Sequence, residues 1–345
     1  MKTKYIITAL FLSFVFIACD KDIENIGYDT KRDVDYEALR AYKATDHEYM
    51  FGWFGGWNGG GASMSTALRS LPDSMDLVSI WGEWKTLSDG QKADMKFVQE
   101  VKGTKIVACI FTPAIGAHIT PTGEDPKAYW GWVDGDADSQ EAAIRKYGDA
   151  LAKFILDLGY DGVDMDNEIE SGNIYGNTRL TSAFIETMGQ YMGPASGTGK
   201  LFCIDGSLTT GTKAESDQHV NFYIAQAYSS SSASSFDSGI STLVNKYGKT
   251  RTEMAKKYIP ACDFELQAPT GGGTFTERNG NKTSKAEGFA GYKPLDEDGN
   301  EIMKGGSGMY HIENDYKNTP YDYYYTRRAI QIMNPAKTTK KSSGE

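Results

Sequence analysis

The sequence predicts a single (β/α)8 barrel, because eight short apolar runs alternate with longer amphipathic segments. The chain has 345 residues, a length that suits one such barrel or two ordinary domains. Hydrophobic residues make up 40% of the chain and charged residues 24%, which is enough apolar material for a real core. Eight strands within about 290 residues favour the closed barrel over an open, doubly wound sheet.

The strand predictions rest on short apolar runs rich in β-branched and aromatic residues. They are Tyr49–Trp53, Leu77–Trp81, Lys105–Thr112, Gly162–Asp166, Leu201–Asp205, Phe222–Tyr228, Tyr258–Phe264 and Gly308–Ile312. Apolar residues at helical spacing predict helices between these strands, most clearly over Ser139–Leu158. The other predicted helices are Ser88–Val101, Leu180–Met192, Phe236–Tyr247 and Tyr321–Met333. Strands alternating with amphipathic helices indicate parallel βαβ units.

The predicted barrel covers residues 45–335, and both ends of the chain lie outside it. Residues 1–18 contain two lysines followed by an uncharged, mostly apolar run, which is too short to span a membrane and predicts a secretory signal. The run ends in Ala18-Cys19, which is typical of a bacterial lipoprotein cleavage site with Cys19 as the acylated residue. A plain signal peptide with an incidental cysteine is the alternative. Residues 19–44 predict a tether and residues 336–345 a disordered tail.

The residues after Cys19 are acidic and resemble the export signal of surface lipoproteins in Bacteroidetes-type bacteria. The expected location is therefore the outer membrane of a Gram-negative bacterium, at the cell surface, with a lipid anchor as the only membrane contact. The formal net charge of −10, without a basic stripe, argues against nucleic acid as a partner.

The remaining cysteines, Cys109, Cys203 and Cys262, each lie in a predicted strand and are expected to be buried free thiols. Neither their spacing nor the four scattered histidines form a zinc pattern. No glycine-rich nucleotide motif follows a strand and opens a helix. We therefore expect neither a metal ion nor a cofactor.

Three carboxylates alternate on the fourth predicted strand. A tight turn at Gly159 leads into this strand, where Asp164, Asp166 and Glu168 share one face at ~6.6 Å intervals. Like charges on the inner face of a barrel are costly unless they share protons, and crowding raises the pKa of at least one of them toward the range of a general acid. A solvated acidic strand end and a divalent cation site are the alternatives. The interleaved apolar residues argue against the first, and the distant histidines against the second.

The same segment resembles the D-G-x-D-x-D-x-E signature of glycoside hydrolase family 18, which includes chitinases and endo-β-N-acetylglucosaminidases. The five signature positions are Asp161, Gly162, Asp164, Asp166 and Glu168. The resemblance implies that Glu168 is the general acid and base, that Asp166 orients the 2-acetamido group of the sugar, and that Asp164 is its buried partner. It also implies substrate-assisted catalysis, in which the acetamido oxygen replaces a second carboxylate as nucleophile.

The sixth predicted strand supplies further candidates. Gln226 and Tyr228 share a face at its carboxyl end, and the family places a tyrosine there to hydrogen-bond the acetamido oxygen. We therefore expect Tyr228 in this role, with an aromatic that merely caps the barrel mouth as the alternative. Tyr223 has the opposite parity and is expected to pack against helices.

Tryptophans at the ends of the first three strands are candidates for sugar platforms, because active sites of such barrels lie at the carboxyl ends of the strands. They are Trp53, Trp81, Trp130 and Trp132, with Trp84 as a further candidate, and packing within the core is the alternative for each.

Two departures from the chitinase pattern bear on the substrate. Asn167 stands where the family often has an aromatic residue, and the stretch Gly308–Glu313 contains no tryptophan. These departures resemble bacterial endo-β-N-acetylglucosaminidases, which cut between the two core GlcNAc residues of N-linked glycans. The expected substrate is therefore an N-glycan or glycoprotein. A chitinase and a catalytically silent glycan-binding protein are the alternatives, and the intact Glu168 argues against the second.

Overall fold

The computed structural model describes residues 34–61, 63–111, 114–168 and 174–335, without the side chain of Tyr175. Eight parallel strands close into a barrel in which each strand pairs with its neighbours in the sequence, and the last pairs with the first. They are β1 (Tyr49–Phe54), β2 (Leu77–Ile80), β3 (Lys105–Phe111), β4 (Gly162–Asn167), β5 (Leu201–Gly206), β6 (Phe222–Gln226), β7 (Tyr258–Asp263) and β8 (Gly306–Tyr310). The predicted fold class and all eight predicted strands are confirmed.

The helices surround the barrel and follow its strands. They are α1 (Tyr36–Lys43), α2 (Asp89–Phe97), α3 (Pro126–Trp130), α4 (Ala137–Asp157), α5 (Thr178–Met188), α6 (Ala233–Tyr247), α7 (Arg251–Lys257), α8 (Lys285–Gly291) and α9 (Tyr324–Met333). The helix predicted over Ser88–Val101 begins as α2 and ends as a single π-helical turn at Lys102. A small hairpin of Thr274–Thr276 and Lys282–Ser284 precedes α8. No helix among the described residues is long and apolar enough to cross a bilayer.

Helix α1 corrects the predicted boundary between tether and barrel. The compact unit begins at Tyr36 and not at residue 45. The helix is fixed by its basic side chains, since Arg40 Nη1 donates to Val101 O at 2.7 Å and Lys43 Nζ to Thr104 Oγ1 at 3.2 Å. These contacts are non-local, which is why the weak periodicity of this segment did not predict it. Cys19, the signal segment and the tail from residue 336 lie outside the described residues.

Side chains of the strands alternate between two apolar layers. Val163 and Met165 of β4 point outward into the large core shared with the helices. A smaller core fills the barrel itself and contains Phe51, Trp53, Leu77, Val107, Cys109, Cys203, Ile224, Ile259 and Ala261. Tyr223 points outward and stacks on Tyr247, as its parity predicts. Cys109, Cys203 and Cys262 are buried free thiols, which confirms the prediction for them.

Candidate active site

The signature segment runs from the amino-terminal face of the barrel to its carboxyl-terminal face, so its residues have different roles. Asp161 lies just before β4, where its Oδ2 accepts from Ile106 N at 3.0 Å and from Gln99 Nε2 at 2.8 Å. Gly162 follows with φ +147°, and a Cβ there would lie 1.9 Å from Leu201 O, so only glycine fits. These two residues fasten β4 to β3 and β5 at the amino-terminal face, where barrels carry stability and not chemistry.

Two aspartates of β4 point into the barrel above this anchor. Asp164 is fully buried and accepts a hydrogen bond from Trp53 Nε1 at 2.9 Å. Asp166 lies one layer higher, is 3% exposed, and pairs in register with Asp205 of β5. Burial raises the pKa of Asp164 to about 6, and burial together with the charges of Glu168 and Asp164 raises the pKa of Asp166 to about 7. The sequence predicts a raised pKa for at least one of the three carboxyl groups, and the structure raises the pKa values of Asp164 and Asp166.

Glu168 follows β4 at the carboxyl end of the barrel, where it is exposed. Gln226 of β6 reaches toward it, with its Nε2 donating to Glu168 Oε1 at 3.3 Å and to Asp205 Oδ1 at 2.8 Å. The amide of Gln226 thus bridges the exposed glutamate and a buried aspartate. Glu168, Gln226 and the aspartate layer therefore form one connected polar group across β4, β5 and β6.

Asn167 explains how the backbone beside Glu168 is held. Its side chain is fully buried and Nδ2 donates to Thr210 O at 3.0 Å and to Ser207 O, which ties the end of β4 to the loop after β5. That loop begins at Gly206 with φ +75°, where a Cβ would lie only 3.1 Å from Asn167 O. An aromatic residue at position 167 would displace this loop, so Asn167 serves to position the loop next to Glu168.

A cavity of about 240 Å³ opens above the aspartates at the carboxyl ends of the strands. Its lining combines four aromatic residues with the polar group, and consists of Trp53, Trp81, Glu168, Asp205, Gln226, Tyr228 and Tyr310. The Tyr310 ring lies edge-on to both tryptophans, with centroids 5.9 Å from Trp53 and 5.6 Å from Trp81. Aromatic walls with a few convergent polar groups are typical of a small-ligand site, and the volume is that of about one sugar ring.

Tyr228 lies just past the end of β6, with its ring centroid 5.6 Å from that of Tyr310. Burial, with the charge of Asp205 second, raises the pKa of the Tyr228 hydroxyl above its usual range. Tyr228 therefore remains a phenol and presents an O–H donor to the cavity. The structure thus brings together Trp53, Trp81, Glu168, Gln226 and Tyr228, as the sequence predicted.

Two predicted sugar platforms lie elsewhere. Trp130 is 5% exposed, stacks edge-on against Tyr147, and its Nε1 donates to Thr120 Oγ1 at 2.8 Å, so it is a packing residue. Trp132 donates instead to Asp134 Oδ1 at 2.9 Å on the loop before α4. Trp84 is likewise buried. Proximity to a strand end in sequence did not distinguish residues that face the barrel mouth from those that turn outward under the helices.

Two residues of the cavity escaped the sequence analysis. Asp205 follows four apolar residues in β5 and belongs to no motif, and Tyr310 lies in the β8 stretch where chitinases usually carry a tryptophan. Strand alternation could have indicated Asp205, because Cys203 and Asp205 lie on the same face of β5. In the β4–β5 register, these two residues pair with Asp164 and Asp166.

Within the described ranges, one set of potential metal-binding side chains lies close together. The thiol of Cys109 and the carboxylates of Asp164 and Asp205 lie within 4.8 Å of one another, and all three are buried. The sequence predicts no metal ion because its histidines are scattered, and this set contains no histidine. Of the three, Asp205 lines the cavity, and Asp164 accepts the hydrogen bond from Trp53 Nε1.

A larger cavity of about 810 Å³ lies at the other end of the barrel, against the residues that precede β1 and β8. It is lined in part by His47, Glu48 and Lys293, and Glu48 is already neutralised there by Lys293 and Lys304 at 2.7 and 2.6 Å. Because it opens at the amino-terminal face, this cavity lies away from the ends of the strands that carry chemistry in such barrels.

Comparisons with known proteins agree with this geometry. The family model described as glycoside hydrolase family 18, BT1044-like, matches residues 25–332. The chain is 25% identical over 371 residues to endo-β-N-acetylglucosaminidase F2 of Elizabethkingia meningoseptica, covering 97% of this chain and 100% of that protein. A solved structure of a selenomethionine-labelled variant of BT1044 has 33% identity and a TM-score of 0.75, covering 87% of this chain and 92% of that one.

A variant of the endo-β-N-acetylglucosaminidase of Cordyceps militaris, solved in complex with fucosyl-N-acetylglucosamine-Asn, shares the fold. It has 20% identity and a TM-score of 0.56, over 88% of this chain and 97% of that one.

Proposed function

The chain belongs to glycoside hydrolase family 18, and from this premise we propose that it is an endo-β-N-acetylglucosaminidase that cuts the GlcNAc-β1,4-GlcNAc core of N-linked glycans. The observation that carries the proposal is the sugar-sized cavity in which Glu168, Gln226 and Tyr228 meet above buried Asp166. This arrangement offers an acid, a set of groups for an acetamide, and an aromatic wall for one ring.

In the first step Glu168 donates its proton to the glycosidic oxygen as the bond to the anomeric carbon breaks. The acetamido oxygen of the same sugar attacks that carbon from the opposite face and forms an oxazolinium ring. Asp166 accepts a hydrogen bond from the acetamido N–H and stabilises the positive charge that develops there. The Tyr228 hydroxyl donates to the acetamido oxygen and holds it within reach of the anomeric carbon.

In the second step Glu168, now ionised, removes a proton from a water molecule that attacks the anomeric carbon. The oxazolinium ring opens, the acetamide is restored, and the configuration is retained because two inversions have occurred. A nucleophile built into the substrate removes the need for a second carboxylate at the opposite face of the sugar. The buried position of Asp166 suits it to orienting an acetamide and not to attacking a carbon above it.

N-linked glycans are favoured as substrate by three observations. The Elizabethkingia relative is an endo-β-N-acetylglucosaminidase, and the Cordyceps relative was solved with fucosyl-N-acetylglucosamine-Asn. The cavity has room for about one sugar ring at the reaction centre, with Tyr310 where chitinases usually have a tryptophan floor. A chitinase is the second candidate, since it would use the same acid and the same acetamide chemistry.

The substrate proposal is tested by offering the purified protein an N-glycoprotein and chitin oligomers in parallel and measuring both rates by mass spectrometry. We expect release of glycans that carry one reducing-end GlcNAc, at a rate at least about tenfold above that on chitin oligomers. Cleavage of chitin oligomers with the glycoprotein untouched would assign the protein as a chitinase. Binding of intact glycans without release would assign it as a glycan-binding protein.

We also propose that Cys19 is acylated and anchors the enzyme to the outer membrane at the cell surface, where glycoproteins are accessible. The small residue before Cys19 and the preceding apolar run support this proposal. Metabolic labelling with a clickable palmitate should label the wild-type protein in the producing cell. The Cys19→Ala variant should carry no label.

Two tryptophan substitutions should separate sugar contact from packing. Trp81→Ala should raise KM about tenfold and leave the melting temperature nearly unchanged, because it removes a partly exposed wall of the cavity. Trp130→Ala should lower the free energy of unfolding by ~3–5 kcal/mol and leave KM unchanged in the folded fraction, because it empties a buried site. Kinetics and thermal unfolding of both variants check the pair, and the reverse pattern would exchange the two roles.

A further inference from the structure

Asp205 occupies the centre of the polar group beneath the cavity and has no part in the two steps above. It lies on β5 in register with Asp166, is 1% exposed, and accepts a hydrogen bond at Oδ1 from Gln226 Nε2 at 2.8 Å. Its carboxyl group also lies beside that of Asp164 on β4, with one oxygen of each within 4.8 Å of the other. Asp205 therefore links a residue of the cavity wall to the deepest carboxyl group of the site.

Other ionisable groups crowd around Asp205. The ionisable groups that face it are Asp164, Asp166 and Glu168 from the β4 segment, Cys109 from β3, and Tyr228 from β6, with Cys203 on its own strand. In the described part of the chain, no lysine, arginine or histidine forms an ion pair with Asp164, Asp166 or Asp205. Several ionised carboxylates cannot share a dry interior unless protons neutralise some of them.

The unpartnered oxygens of these carboxyl groups indicate that the groups share at least one proton. If every carboxyl group were ionised, Asp164 Oδ1, Asp166 Oδ1 and Asp205 Oδ2 would be buried acceptors that no donor of the described residues reaches. A proton on Asp205 turns the repulsion between these neighbouring carboxyl groups into an O–H···O hydrogen bond to Asp164. Burial, followed by the charges of Asp164 and Asp166, raises the pKa of Asp205 well above its usual range, which agrees with a proton held there.

We propose that Asp205 is a positioning residue whose carboxyl group stays protonated at neutral pH, donates to Asp164, and holds the amide of Gln226 toward Glu168. The negative charge of the layer is then left to Asp164 and Asp166, next to the nitrogen that becomes positive in the oxazolinium ring. Loss of this anchor would let the Gln226 amide rotate away from the acetamide and from Glu168. The effect on catalysis rests on the proposed function, whereas the protonation of Asp205 does not.

The protonation is tested without substrate by carbon-13 NMR of aspartate-labelled protein. The carboxyl resonance that disappears in Asp205→Asn should keep the chemical shift of a neutral acid from pH 5 to pH 8. A resonance at the shift of an ionised carboxylate at pH 7 would overturn the proposal. So would a stoichiometric metal ion found in the purified protein by elemental analysis, because a cation would replace the proton.

Thermal unfolding supplies a second readout with a defined sign. A carboxyl group whose pKa is raised in the folded state stabilises the fold most below its unfolded pKa, and this stability is lost as the pH rises toward the folded pKa. Asp205→Asn removes the titrating group but keeps a donor and an acceptor. The melting temperature of Asp205→Asn minus that of the wild type should therefore increase from pH 4 to pH 8. A constant difference would contradict the proposal.

Asp217→Asn is the matched control, because Asp217 is a buried aspartate on the outside of the barrel paired with Lys257 at 2.7 Å. Replacing it leaves a lysine without its partner and should lower the melting temperature at pH 7. Asp205→Asn should raise it at the same pH. If the melting temperature rises in Asp205→Asn and falls in Asp217→Asn, the difference comes from the presence of an ion-pair partner at Asp217 and not from burial, which the two aspartates share.

Activity then tests the positioning role. Asp205→Asn should keep kcat within about tenfold of the wild type, while Asp205→Ala should lower kcat about 10²-fold with a smaller change in KM, because Gln226 loses its anchor. Equal loss in both variants would overturn the positioning role. If the wild type hydrolyses no glycan at all, the proposed function fails, and the NMR and unfolding data still decide the protonation.

Discussion

The Glu168→Gln variant is expected to lose hydrolysis of glycans while it retains binding. Glutamine keeps the shape of the side chain but has no proton to give to the glycosidic oxygen and cannot deprotonate water. Because the same group acts in both steps, kcat should fall by at least about 10³-fold, near the upper range for a general acid and base. Because the variant leaves the glycan intact, its affinity for the glycan can be measured by calorimetry. This affinity should remain close to that of the wild type for the same glycan.

Glu313→Gln is the control for this experiment. Glu313 belongs to the loop after β8, where its Oε1 pairs with His311 Nδ1 at 2.7 Å, and it does not line the cavity. Its replacement should leave kcat within about twofold of the wild type. If Glu168→Gln retained wild-type turnover, or if both variants lost activity equally, Glu168 would not be the acid.

The Asp166→Asn variant should lose about 10²-fold in kcat and gain stability at alkaline pH. Asparagine removes the charge that stabilises the oxazolinium nitrogen. It also removes a carboxyl group whose pKa is raised to about 7 by burial and by the charges of Glu168 and Asp164. The fold binds this proton more tightly than the unfolded chain does, so wild-type stability falls as the pH rises from about 4 through 7.

The two effects are measured on one preparation, as initial rates at pH 6 and melting temperatures from pH 4 to pH 8. The melting temperature of Asp166→Asn should exceed that of the wild type above pH 7, and the two should converge near pH 4. A variant that loses activity because it is misfolded would instead be less stable at every pH. Asp166→Asn should therefore gain stability and lose activity, because the active site holds like charges together at a cost in stability.

The sequence was sufficient to predict those parts of the molecule that depend on local pattern. Strand alternation placed Asp164 and Asp166 inside and Val163 outside, because the side-chain period in a strand is fixed at two. The same parity argument selected Gln226 and Tyr228 at the end of β6. Helix α4 was predicted within two residues at each end because its apolar residues repeat at helical spacing over 21 residues.

The sequence could not predict the parts that depend on register between strands and on loop direction. Asp205 becomes important only because the β4–β5 register sets it beside Asp166, and no local pattern shows which residues will be opposite. Its position after β3 makes Trp130 a candidate sugar platform, but the chain turns there so that its indole packs on Tyr147 of α4, which is the alternative for this residue. Helix α1 depends on contacts with residues about 60 positions away.

The deciding measurement is the mass of a peptide that carries one N-linked glycan, recorded before and after incubation with the enzyme. Cleavage between the two core sugars leaves the peptide with a single GlcNAc on asparagine and releases a glycan that ends in the other GlcNAc. We expect both products with the wild type and neither with Glu168→Gln. An unchanged peptide mass, a peptide stripped of all sugar, or the same products from Glu168→Gln would contradict the proposed function.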